Sequence, residues 1–218
     1  MKKIIIKLDK KKLSSQINKI SIRWAFGYLK KKINSNIFLK TKKNNKIISL
    51  NCILIDRYSL NSKNFFHLKN LPIEMESFAI IPDEGDLNKV ILYGSDTRGL
   101  VYAITELADR IENITSEKNI LNEIIFKTIE SSKTKIRSIS KCFESDVEDL
   151  SWFNDKKMWS EYLDMLITNR FNRLTFTVGM QYNYPYGNEF IKDVYLYCAY
   201  PFLIKPKNYS IYAEGLSP

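Results

Sequence analysis

The sequence predicts an α+β fold, a mixed sheet with helices on one face over residues 1–130, followed from residue 135 by a strand–helix–strand unit. Three observations predict it. Short β-branched runs alternate with stretches of helical periodicity in the first part of the chain. The turn-forming cluster Pro82-Asp83-Glu84-Gly85-Asp86 separates two β-rich runs. From Lys135 the order becomes strand, helix, strand, which implies a parallel pair with a right-handed crossover. At 218 residues and 44% hydrophobic, the chain is long enough to bury a core in one large or two small domains.

Lys3 to Leu8 is a β-branched run and reads as a strand. Leu13 to Ile33 shows apolar residues at Ile17, Ile20, Trp24, Tyr28 and Leu29, close to helical spacing, and reads as a helix buried along that stripe. After the polar Lys40–Lys46 turn, Ile47 to Ile55 is apolar enough for an interior strand. Asn61 to Leu71 reads as a loop. Ser77–Ile81 and Lys89–Tyr93 flank the turn cluster as an antiparallel pair. Gly94-Ser95-Asp96-Thr97 offers a helix N-cap, and Leu100, Ile104, Leu107, Ala108 and Ile111 form one apolar stripe behind it. The expectation is a sheet of about four strands with two helices. The second part reads as a strand at Ile136–Ser140, a long loop, a helix over about Lys156–Asn169 and a strand at Arg173–Val178. Asn154 or Asp155 would cap that helix, and Trp159, Tyr162, Leu163 and Leu166 would form its buried stripe. Gly179 to Pro218 reads as mostly loop.

The net charge of +10 is unevenly placed. Residues 1–46 carry 15 Lys and Arg against one acid, Asp9, for +14; the remainder carries 19 against 23, for −4. A nucleic-acid arm would set its cations on one face beside stacking or groove-reading groups, whereas these lysines come in runs among Asn and Ile, as on a solvated helix and its loops. No specific nucleic-acid partner is expected. Cys52, Cys142 and Cys198 are odd in number with no Cys-x-x-Cys, and His67 is the one histidine, so neither a disulfide framework nor a metal site is indicated and no cofactor is expected. No apolar run is long enough for a membrane span or a signal peptide, which makes a cytoplasmic location the expectation. Seven glycines include no phosphate-binding signature, and His67 stands apart from any recognisable nucleophile.

Tyr162-Leu163-Asp164-Met165-Leu166 followed by Asn172-Arg173-Leu174 resembles the opening of the catalytic barrel in glycoside hydrolase family 20, the β-hexosaminidases, and in α-glucuronidase-like enzymes. Ser77–Ile81, Val90–Gly94 and Asp96–Ala103 through Glu106-Leu107-Ala108 are similar to the small α/β domain that precedes those barrels. Tyr200-Pro201-Phe202-Leu203 is also similar to members of the group. The resemblance implies a hexosaminidase-like domain at 1–130, the start of a (β/α)8 TIM-type barrel at 135–218, and an oligo- or polysaccharide substrate hydrolysed at its O-glycosidic bonds. Departures are clear: the second barrel strand, Leu174–Val178, lacks the family's His residues, and Lys141-Cys142-Phe143 stands where a sugar-binding Arg is usual. No Asp-Glu pair of the family's catalytic kind occurs in residues 179–218.

A closed barrel takes roughly 250 residues, and Lys135 to Pro218 supplies 84. The expectation is therefore an incomplete barrel, with the catalytic carboxylates beyond residue 218 and the chain inert by itself. Under the barrel assignment Glu144, Asp146, Glu148 and Asp149 follow the first strand, either as groups on the active face or as a solvated acidic loop before a helix. Gln181, Tyr182 and Tyr184 follow the second, suited either to holding a sugar ring or to packing the loop. Arg137 is placed to meet a carboxylate inside the barrel or to lie at the surface. Arg137, Glu144, Gln181, Tyr182 and Tyr184 are thus the candidate substrate contacts, with no catalytic residue identified. The alternatives are a non-catalytic carbohydrate- or protein-binding remnant and, less favoured, a basic nucleic-acid-binding protein.

Overall fold

The computed structural model describes residues 3–10, 13–35, 47–60, 68, 70–114, 120–143 and 146–178. The chain divides into two units, Met1–Lys135 and Ile136–Pro218. Among the described residues no helix is long and apolar enough to cross a membrane.

The first unit is a five-stranded mixed sheet in the order β1-β2-β4-β3-β5. Strand β1 (Lys3–Asp9), helix α1 (Lys19–Ser35) and strand β2 (Ile47–Asp56) form a parallel unit with Ile4 opposite Ile48 and Leu8 opposite Cys52. Strands β3 (Phe78–Pro82) and β4 (Lys89–Gly94) make the expected hairpin, Ile80 opposite Leu92, and β4 runs parallel to β2. Helix α2 (Thr97–Glu112) and the short helix α3 (Ile120–Ile124) precede β5 (Thr128–Glu130), which pairs antiparallel with β3.

Strand alternation decides what each face buries. Leu50, Cys52, Leu54, Val90, Leu92, Phe78 and Ile80 are buried on one face, with Leu100, Ile104, Leu107 and Ile111 of α2, each 0% exposed, as their helical counterpart. Burying each such side chain contributes about 1.5–3 kcal/mol. Ile55, Ala79, Ile91 and Tyr93 point the other way and pack with Leu68 and Leu71. The Tyr93 hydroxyl donates to the Pro72 carbonyl at 2.8 Å, and burial pushes its pKa up to about 12.

Several boundaries differ from the sequence reading. Helix α1 begins at Lys19, not Leu13, because the Asn18 side chain accepts from the Ile20 and Ser21 amides as an N-cap. The buried Asp56 carboxylate holds the preceding stretch, accepting from the Ser14 amide at 2.7 Å and from the Tyr58 and Ser59 amides at 2.9 and 3.0 Å. The buried face of α1 is Ile22, Ala25, Phe26 and Leu29; Ile20 is 74% exposed and Trp24 half-buried. Sheet β1–β5 has one strand more than expected, since the three-residue β5 is fixed by pairing with β3 rather than by any local pattern.

Two glycines, Gly94 at the end of β4 and Gly99 in the first turn of α2, are dictated by close approach. A Cβ on Gly94 would stand 2.2 Å from the Leu100 nitrogen, and one on Gly99 would stand 2.1 Å from the Ser77 carbonyl oxygen. Asp96 caps α2 through the Gly99 amide at 2.8 Å and also accepts from the Glu76 amide at 3.0 Å. Glu76, at φ 64° and buried, pairs with Arg98 at 2.7 Å. Gly27, inside α1, has nothing within 4 Å of where its Cβ would be. A helix-interior glycine costs about 1 kcal/mol relative to alanine, and here packing does not require it.

Arg110 ties α2 to the segment that leads into β5. Its guanidinium donates to the Ile124 and Phe126 carbonyls at 3.3 and 3.1 Å and to Thr128 Oγ1 at 2.6 Å, pairs with Glu106 at 3.0 Å, and lies 3.7 Å from the Phe126 ring centre.

The second unit is described from Ile136 to Val178. Strands β6 (Ser138–Phe143) and β7 (Arg173–Val178) are parallel, joined through α4 (Asp146–Phe153) and α5 (Lys156–Thr168). Strand β6 lies about two residues later than expected. The expected long loop contains α4, so the acidic run Asp146, Glu148, Asp149 stands on a helix rather than in a solvated loop. Acids suit a helix first turn.

Candidate functional site

The parallel pair β6–β7 ends side by side at Phe143 and Val178, and this edge is where the candidate site is built. Two strands in register present alternating side chains to two faces. Ile139 and Lys141 share a face with Leu174 and Phe176; Ser138, Ser140 and Cys142 share the other with Arg173 and Thr175.

The first face carries an aromatic cluster. Phe176 meets Trp152 and Phe153 of α4 at 6.3 and 5.8 Å between ring centres, and Trp159 of α5 at 5.5 Å. The indole nitrogens are engaged: Trp152 donates to Asp149 at 2.7 Å and Trp159 to the Phe153 carbonyl at 2.7 Å. The Lys141 ammonium lies 3.8 Å from the Trp152 ring centre and 5.7 Å from that of Tyr162, a cation–π arrangement on half-buried rings. Of the expected α5 stripe, Leu166 is buried, Trp159 and Tyr162 are half-buried and Leu163 is 42% exposed. The second face is polar and open: Ser138, Ser140, Arg173 and Thr175 are exposed, with the Ser138 and Thr175 hydroxyls 3.5 Å apart.

Arg137 lies at the opposite, N-terminal end of the pair. Its Nε donates to the Arg170 carbonyl at 2.6 Å, its amide to Asn172 Oδ1 at 2.9 Å, and its own carbonyl accepts from Asn172 and Arg173. It braces the turn from α5 into β7. That turn is a Schellman-type end, with the Phe171 amide on the Leu166 carbonyl, the Arg170 amide on the Ile167 carbonyl, and Arg170 at φ 64°. Asp155, one of the two proposed caps, takes the N-terminus of α5, accepting from the Lys157 and Met158 amides.

Glu144, Gln181, Tyr182 and Tyr184 lie outside the described residues, as do His67 and Cys198. In chain order Glu144 directly follows β6, and Gln181 follows β7 by three positions. Nothing local in the sequence announces that Lys141 lies over Trp152 or that Phe176 meets Trp152 and Trp159. The period of two in β6 and β7 would have placed Lys141 beside Phe176, once the register was known.

Cys52 is 0% exposed, and burial pushes its thiol up to about 12. No group of three His, Cys, Asp or Glu is placed to hold a metal ion. A groove of about 490 Å³ runs beside the β3–β4 hairpin, lined by Leu68, Leu71, Ile81, Ile91, Lys127 and Ile129; Asp83 at its rim is paired with Lys89 at 2.7 Å.

No family model matches the chain, and no curated protein does. Solved structures do match. A glycoside hydrolase family 138 enzyme, described as targeting the pectin rhamnogalacturonan II, is 18% identical with a TM-score of 0.50, over 81% of this chain and 18% of that one. A family 115 4-O-methyl-α-glucuronidase, described as specific for decorated arabinogalactans, is 13% identical with a TM-score of 0.52, over 81% of this chain and 25% of that one. The likeness shows a glycoside-hydrolase-like fold. The chain spans less than two thirds of either neighbour's length.

Proposed function

We propose that the chain is part of a carbohydrate-active glycoside hydrolase of the hexosaminidase and α-glucuronidase kind. In this reading residues 1–130 are the α/β domain that precedes the barrel, and residues 135–218 open a (β/α)8 barrel. The observation that carries it is the shared fold over 81% of the chain with glycoside hydrolases of two families. The parallel β6–β7 pair supports it, because barrel active sites gather at the C-terminal ends of parallel strands.

Glu144, which follows β6 in chain order, and Gln181, Tyr182 and Tyr184, which follow β7, are the proposed substrate contacts. Amide and phenol groups hydrogen-bond sugar hydroxyls while aromatic rings stack on the sugar face. Arg137 is a positioning residue for the α5–β7 turn. Asp149 and Asp155 are committed to an indole and a helix cap, so the acid and base that glycoside hydrolysis requires are assigned to other groups. The substrate class is a polysaccharide bearing acidic sugars, in line with the neighbours' targets.

The test is hydrolysis by the protein purified from its source, with its intact mass recorded. It is assayed on aryl glycosides and on pectic and glucuronate-bearing polysaccharides by release of reducing sugar. Cleavage of any of these supports the reading. Saccharide binding without cleavage would move the protein to the non-catalytic class, and neither binding nor cleavage would sink the proposal.

A further inference from the structure

The outer face of α1 combines three features that packing does not explain. The helix carries Lys19, Arg23, Lys30, Lys31 and Lys32 and no acid. Lys32 is paired with Glu112, whereas Lys19, Arg23, Lys30 and Lys31 are exposed with no carboxylate partner among the described residues. Gly27 lies between them on the exposed face, one turn after Arg23 and one turn before Lys30 and Lys31, with open space where a side chain would stand. At 1.5 Å of rise per residue, the notch over Gly27 is ~6 Å along the axis from Arg23 and ~4.5–6 Å from the two lysines. Trp24, half-buried and stacked on Tyr28 at 5.9 Å, borders the notch, and Ile20 extends its apolar side.

We infer that this face is a binding surface for a carboxylate-bearing polysaccharide. One carboxylate sits over the Gly27 backbone between the Arg23 guanidinium and the Lys30 and Lys31 ammonium groups, and the neighbouring sugar ring lies against Trp24. An arginine fork suits a carboxylate, and a glycine admits close approach of a ligand to the helix. A notch ringed by three cations matches a chain with one charge per sugar ring. Duplex DNA, with a charge every 1.7 Å of axis, is the competing polyanion that the binding experiment tests. The proposal rests on the carbohydrate-active reading and adds a holding surface on the first unit, separate from any cleavage site.

The experiment is calorimetric or gel-retardation binding of the 218-residue chain to polygalacturonate, to a neutral galactan and to duplex DNA at low salt. Polygalacturonate is expected to bind and the neutral galactan not. Affinity should fall at least severalfold between about 50 and 200 mM salt, as screening of exposed charge contacts predicts. The variant R23Q/K30Q/K31Q should lose on the order of tenfold, and Gly27→Leu, which fills the notch but keeps every charge, should lose a similar factor. Circular dichroism verifies that these surface variants remain folded, and Lys89→Gln, on strand β4, is the unaffected control. Equal binding by wild type and both variants, no binding to polygalacturonate, or tighter binding to DNA through the same residues would overturn the inference. Hydrolysis by the source protein is read separately, so cleavage with no effect of the α1 variants removes this surface and leaves the glycosidase reading intact. Binding without cleavage does the reverse.

Discussion

Adding one methyl group at Gly99 should be far more damaging than adding it at Gly27, although both glycines lie in helices. At Gly99 the new Cβ would stand 2.1 Å from the Ser77 carbonyl oxygen and 3.1 Å from its carbon, both backbone atoms. Relief requires Ser77 to move by about 1 Å, and overpacking of this kind typically costs about 1–3 kcal/mol. The same movement strains the exchange in which the Ser95 amide donates to the Ser77 carbonyl at 2.9 Å and the Ser77 amide to Ser95 Oγ at 3.0 Å. Each of those bonds has a net worth of about 1 kcal/mol. Alanine's better helix propensity returns about 1 kcal/mol, leaving a loss of roughly 2–4 kcal/mol. Gly27→Ala meets nothing and should gain about 0.5–1 kcal/mol. Urea unfolding followed by far-ultraviolet circular dichroism gives both numbers in one series. A Gly99→Ala midpoint equal to wild type, or a lowered midpoint for Gly27→Ala, would refute the argument from close approach.

Arg170→Gly should stabilise the second unit by about 0.5–1 kcal/mol, because φ 64° at the helix end suits glycine; thermal unfolding of residues near α5, followed by hydrogen exchange, measures it. Asp109, half-buried and accepting from the Tyr28 hydroxyl at 3.3 Å, has its pKa raised above the usual 3.8 by burial. A raised carboxyl value means the folded state prefers the protonated form, so this contribution is complete below the unfolded value and is lost as pH rises through the folded one. Asp109→Asn should therefore gain on wild type as pH climbs from the usual carboxyl value towards neutrality and match it in acid; a stability difference that does not change with pH counts against the assignment. Lys141→Gln removes the cation from the Trp152 face and should cost about 0.5–2 kcal/mol, with a change in tryptophan emission that Lys157→Gln on exposed α5 does not produce.

The first unit was legible where local signals and burial agree. The stripe Leu100, Ile104, Leu107, Ala108, Ile111, a cap within Gly94–Thr97 and the turn between β3 and β4 are all predicted and observed, the cap being Asp96. Helix α1 was misjudged at its start because apolar residues upstream of Asn18 continue a helical spacing, and nothing local announces that Asp56, 42 positions away, fastens Ser14. Strand β5 has three residues and exists through its partner in β3. Helix α4 was hidden by its acids, which read as loop yet also suit a helix first turn. Of the candidate site, Arg137 is read in the sequence either as a partner for a carboxylate or as a surface residue, and the Arg170 carbonyl that its Nε meets is a local partner the sequence does not show. The Lys141 aromatic setting needed the register of β6 on β7, which no single segment encodes.

The Arg110 clamp bears on how the first unit keeps to itself. Strand β3, Phe78-Ala79-Ile80-Ile81-Pro82, is apolar, and β5 covers its outer edge with only three residues. So short a ladder frays easily, and a bare edge of this composition invites a strand from another molecule. The guanidinium on the Ile124 and Phe126 carbonyls holds that thin cover down from the side. Protection against aggregation is thus delegated from backbone pairing to one side chain on a neighbouring helix.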